Sequence, residues 1–170
     1  MTDLRDALVL EDTAERLDWG ARLQPLAQQR NTEVVERGDR TIYFWGEHKV
    51  LEGLSLRLQT TFWKDWLPAA PRLEQVEHWT IGDAEVRDDL QRIKEHLVKT
   101  FGSPVKEESG EREEYNAAWT LPGATVTVYV FEQHCLKLHL TIKCEAPSEG
   151  GRSERSGGRS GGDAMLRGKG

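Results

Sequence analysis

Residues 83–101 read DAEVRDDLQRIKEHLVKTF, and this stretch decides the fold class. Val86, Leu90, Ile93, Leu97 and Phe101 recur at intervals of four, three, four and four, so they share one face of a 3.6-residue helix. Asp83, Glu85, Asp88 and Asp89 sit where the helix dipole favours negative charge, and Gly102-Ser103-Pro104 supplies a stop. Working outward, the spacing changes from helical to alternating on both sides. Leu54, Leu56, Leu58 and Thr60 alternate with Ser55, Arg57, Gln59 and Thr61. Leu136, Leu138, Leu140 and Ile142 alternate with Lys137, His139, Thr141 and Lys143. Each pattern predicts a strand with one dry and one wet face.

Residues 115–120, a turn at Leu121-Pro122-Gly123, and residues 125–131 read as a hairpin leading into the last strand. Residues 32–36, a turn at Arg37-Gly38-Asp39, and residues 41–45 read as an earlier one, with Gly-Asp serving as ordinary turn chemistry. Glu11 to Gln29 has helical composition broken at Gly20 and Pro25. Trp63 to Ile81, with Pro68 and Pro71, reads as an irregular linker carrying aromatic residues. The order helix, strands, helix, strands predicts an α+β fold, a mostly antiparallel sheet with helices packed on one face. TIYFWGEH (41–48) and TVYVFEQH (127–134) match at an offset of 86, which suggests an internal helix-plus-strands duplication.

Of the 170 residues, 37% are hydrophobic and 31% charged, with a net charge of −6. The composition of residues 148–170, rich in Gly, Ser and Arg, predicts a disordered tail, and residues 1–147 then form a single domain. Five basic and three acidic residues make the tail +2, which leaves the domain at −8. That charge disfavours nucleic acid as a partner of the domain, because such affinity comes largely from neutralising phosphates. The tail arginines have at most a weak affinity for RNA or an acidic surface. Nothing at the amino terminus resembles a signal peptide and no long apolar run occurs, so a cytoplasmic location is expected. Cys135 and Cys144, nine apart on one predicted strand, point to opposite faces and read as free thiols.

Glu132, His134, Cys135, His139 and Cys144 cluster on one hairpin but lack metal-site spacing, so neither metal nor cofactor is expected. No nucleophile-base pair, phosphate loop or carboxylate pair in an apolar setting is present. Tyr43 and Trp45, like Tyr129 and Phe131, are expected on the sheet face opposite Ile42, Phe44, Val128 and Val130. With Trp63, Trp66 and Trp79 of the linker, Tyr43 and Trp45 are the candidate partner-binding residues, since Tyr and Trp dominate interface hot spots. A second core layer is the competing reading of the same side chains.

These features predict a non-enzymatic, acidic protein-binding module whose partner offers a basic or apolar surface, with homodimerisation as one form of that binding. The element order and acidity loosely resemble type III secretion chaperones, and the acidity resembles toxin-neutralising immunity proteins. No motif transfers from either, and this chain ends in strands where the chaperones would close with a helix. Two alternatives are a small-molecule binder or enzyme with a pocket beside the sheet, walled by Tyr43, Trp45, Tyr129 or His48, and a structural subunit of a larger assembly.

Overall fold

The computed structural model describes residues 3–63 and 70–145; Trp66 and the tail lie outside them. Ten strands and two helices follow in chain order: β1 (Ala7–Leu10), β2 (Glu15–Asp18), α1 (Leu23–Gln29), β3 (Glu33–Arg37), β4 (Arg40–Val50), β5 (Leu54–Trp63), β6 (Gln75–Ile81), α2 (Asp83–Phe101), β7 (Lys106–Ser109), β8 (Tyr115–Leu121), β9 (Ala124–Gln133) and β10 (Cys135–Cys144). Eight strands form one antiparallel sheet in the order β3-β4-β5-β6-β10-β9-β8-β7, and β1 and β2 form a separate pair. The fold is α+β, as the sequence predicts.

The chain lays down one four-strand meander, crosses to the far edge, and returns to the centre with a second. A crossover from β6 to β7 must pass three intervening strands, roughly 19 Å at ordinary strand spacing. The 19 residues of α2 are long enough to do so at about 1.5 Å per residue. Val86, Ile93 and Leu97 of α2 are buried against β6 and β10, with Leu90 and Phe101 partly buried beside them. The first-turn Asp83 accepts a hydrogen bond from the Leu136 amide at 2.9 Å. At the other end the Gly102 carbonyl accepts from Trp119 Nε1 at 3.0 Å.

Leu4, Leu8, Leu10, Leu17, Leu23 and Ala27 join the same core, so the amino-terminal segment and α1 lie on the face of the sheet that α2 covers. The segment runs as a strap: the Leu4 amide donates to Pro122 O and the Glu11 amide to Lys49 O. This corrects the helical reading of residues 11–29. Leu8, Leu10 and Leu17 bury their side chains as strand residues, Gly20 turns at φ 77°, and the helix shrinks to the seven residues after it.

A second correction concerns the expected linker from Trp63 to Ile81. Its last seven residues are β6, at the centre of the sheet, paired with β10 from Gln75↔Lys143 to Ile81↔Lys137 and with β5 at Gln59↔Glu77. Its core-facing side carries Val76, His78 and Thr80, so apolar alternation is missing from the sequence. The polarity is tolerated because Asp89 of α2 accepts hydrogen bonds from both His78 Nε2, at 2.8 Å, and the Thr80 hydroxyl. Buried polar groups paired in this way avoid the cost of desolvation.

The two similar octapeptides fall in β4 and β9, which are not equivalent places: β4 is second from one edge and β9 third from the other. Their parity is also opposite, since Tyr43 faces the core while Tyr129 faces away from it. The match reflects two strands of similar composition, and no duplication is shown.

Candidate functional site: the open face of the sheet

The register carries three rows of side chains across β6, β10 and β9 on the face away from α2: Ile81, Lys137 and Phe131; Trp79, His139 and Tyr129; Glu77, Thr141 and Thr127. Opposed residues in an antiparallel pair share a face. Among the described residues no element packs over these rows, because β1, β2, α1 and α2 bury their apolar side chains in the core on the other side.

Four rings cluster there. Trp79 stacks on His139 with centroids 3.9 Å apart, Tyr129 stacks on Phe131 at 5.3 Å, and Trp79 meets Phe131 edge-on at 6.4 Å. Trp79 and Tyr129 keep 36% and 43% of their surface exposed.

Beneath them lies Glu77, only 5% exposed. Its Oε1 accepts from Gln75 Nε2 at 2.8 Å, and its Oε2 accepts from Trp79 Nε1 at 3.1 Å and Thr61 Oγ1 at 3.2 Å. These neutral donors replace the water that a buried carboxylate has lost. His139 Nε2 is 3.8 Å from Glu77 Oε2 and in hydrogen-bond contact with Thr141 Oγ1 at 3.2 Å. Burial lowers the His139 pKa, against the opposing pull of Glu77, which favours the neutral imidazole. Arg57, Lys137 and Lys143 surround this centre on the same face.

The sequence candidates separate. Trp79 lies in the aromatic cluster. Trp63 is on the same face, 47% exposed, with the Arg40 guanidinium 4.8 Å from its ring centre. Tyr43 and Trp45 are on the opposite face, 4% and 5% exposed, stacked on each other, with Trp45 Nε1 donating to Thr60 Oγ1 at 2.9 Å. They are core residues, so the expected grouping of Tyr43 and Trp45 with Tyr129 and Phe131 is corrected. Trp66 lies outside the described residues. His48 is half-buried, its Nδ1 3.0 Å from Asp12 Oδ2 and its Nε2 3.0 Å from the Trp45 carbonyl. Sequence reasoning missed Glu77 and weighed His139 only as a metal ligand. The signal lay in the register, which puts Thr141 of β10 opposite Glu77 and His139 opposite Trp79.

Elsewhere, a cleft of about 810 Å³ opens at one end of β6, β9 and β10, lined by Arg5, Asp6, Trp19, Arg72, Glu74 and Lys143, among others. Among the described residues, no three His, Cys, Asp or Glu side chains are placed to hold a metal ion, and both cysteines are free. No helix among them is long and apolar enough to cross a membrane. In comparisons with known proteins, the chain matches no family model, no curated protein and no solved structure.

Proposed function

We propose that this chain is a non-enzymatic protein-binding module, of an adaptor, chaperone or inhibitor kind, that recognises its partner with the open face of the sheet. The observation that carries this reading is the packed cluster of Trp79, His139, Tyr129 and Phe131 with ring surface left in solvent. Aromatic side chains held in place by one another lose little entropy on docking and supply large contact area. One of the hydrogen bonds that satisfy Glu77 also fixes Trp79, whose indole is tied to the carboxylate beneath it.

The test is binding of the captured natural partner to Trp79→Ala/Tyr129→Ala, compared with the parent chain. Removing two central aromatics is expected to weaken binding by at least 2 kcal/mol, roughly 30-fold, with the circular dichroism spectrum unchanged. Full retained affinity would remove the open face from the function. The cleft supports a second reading, a small-molecule site, because Trp19 lies there beside cations and carboxylates. A ligand whose affinity falls in Trp19→Ala and not in the open-face variant would favour it.

A further inference from the structure

Taken as a whole, a domain of charge −8 attracts a basic partner. The charges, however, are unevenly placed. On the helix side three cations of α2 are matched: Arg87 with Glu113 at 2.8 Å, Arg92 with Asp89 at 2.5 Å, Lys94 with Glu107 at 2.6 Å. On the four central strands of the open face, Arg57, Lys137 and Lys143 have no carboxylate within ion-pair distance among the described residues; Lys137 only donates to the neutral Gln133 amide, at 2.9 Å. Glu77, the carboxylate those strands carry on this face, is buried, and three neutral donors already engage its oxygens. On these four strands an arriving basic group therefore meets three open cations and no exposed carboxylate on this face, while the exposed Glu47 of β4 stands opposite Arg57. The exposed carboxylates of this face stand off those four strands, Glu33 and Glu47 toward one edge and Glu108 at the other, and the β7–β8 region is crowded with Glu107, Glu108, Glu111, Glu113 and Glu114.

We infer that the segment seated on the open face is an acidic polypeptide carrying apolar or aromatic side chains. This rests on the reading of that face as a protein-binding surface. The carboxylates of such a segment meet Arg57, Lys137 and Lys143, and its apolar groups pack on the cluster of Trp79, Tyr129 and Phe131. Single-stranded nucleic acid shares the charge but fits less well. Base stacking needs free ring faces, and here the rings spend faces on each other, Trp79 on His139 and Tyr129 on Phe131. A phosphate backbone running off the patch also enters the acidic surround, whereas a short peptide ends before it.

The experiment follows amide NMR shifts of the full chain during titration with three probes. They are a short synthetic peptide of Glu-Leu-Glu-Tyr repeats, its counterpart with Lys in place of Glu, and an oligothymidine of matched length. The acidic peptide is expected to move amides of β6, β9 and β10, with binding weakened about 10-fold in Arg57→Glu/Lys143→Glu. Arg57→Gln/Lys143→Gln, a milder change should the reversal unfold the chain, loses about 3-fold, and Lys99→Glu on α2 less than 2-fold. The inference is overturned if the basic peptide or the oligothymidine moves the open-face amides more strongly. It is equally overturned if charge reversal leaves the acidic peptide unaffected, or if none of the probes touches this face. If Trp79→Ala/Tyr129→Ala nevertheless releases the natural partner, only the charge inference fails and the binding surface stands.

Discussion

Asp89 joins α2 to β6. One of its oxygens accepts from His78 and Thr80, the other from Arg92, while the Arg57 amide donates to His78 Nδ1 at 3.2 Å. Burial alone would raise this carboxyl; the hydrogen bonds from His78, Thr80 and Arg92 outweigh it and hold the group far below the usual carboxylate range. Because the folded value is depressed, the stability it contributes is present above about pH 3.8, the unfolded value, and is lost as pH falls through the folded one. Asp89→Ala leaves His78 and Thr80 without their acceptor, and is expected to cost about 2–4 kcal/mol in urea denaturation at pH 7. The variant should also lose less stability than the parent below pH 4. Equal acid sensitivity of the two proteins would show that other carboxylates carry the effect. Legibility at this scale was partial. Val128/Val130 against Tyr129/Phe131 could be read from alternation, because β9 has a clean period of two. Which side of β4 faces the core could not, because Ile42, Tyr43, Phe44 and Trp45 are all large and apolar.

Elements were legible where one physical signal dominated. The helix at 83–101 announced itself by spacing and caps, and the hairpins ending at β4 and β9 by turn residues between alternating runs. β6 was hidden because its core side is polar and its open side carries the apolar Trp79 and Ile81, an inversion that only the partner helix explains. The β1–β2 hairpin was hidden because two four-residue strands are too short for a period to show. What holds that strap in place is a close approach at the β8–β9 turn. A Cβ on Gly123, where φ is 87°, would lie 2.3 Å from the Arg5 Cα. Gly123→Ala should therefore displace residues 4–6 and cost more than about 2 kcal/mol in the same denaturation assay. A change below about 0.5 kcal/mol, the range of ordinary surface substitutions, would mean that the strap bends aside freely.

At the scale of the whole molecule, one face of the sheet is spent on stability and the other is left open among the described residues, which is how a mostly antiparallel sheet differs from a parallel one covered on both sides. Where the fold stops is testable. The Cys144 amide donates to Glu74 O at 3.0 Å and the Glu145 amide to Gly123 O at 2.9 Å, so the chain is tied in to that point. A version ending at Pro147 should melt within about 0.5 kcal/mol of the full chain. One ending at Thr141 loses the fully buried Ile142 and both ties, and should fail to fold cooperatively by calorimetry. Similar melting of the two would place the end of the domain before β10 is complete. The candidate site was less legible than the fold because an open face is defined by register and exposure, neither of which a lone sequence prints.

The central seam between β6 and β10 also fixes the timing of birth. A ribosome releases β6 about 60 residues before the end of β10, an interval of roughly 3–12 s at ordinary elongation rates. Throughout that time the first meander has a raw edge where the finished protein has its middle. The nascent chain cannot complete its sheet by adding strands to a rim. It must hold a template open and receive the last strand made into the centre, and until then that edge is the place where a wrong strand would pair.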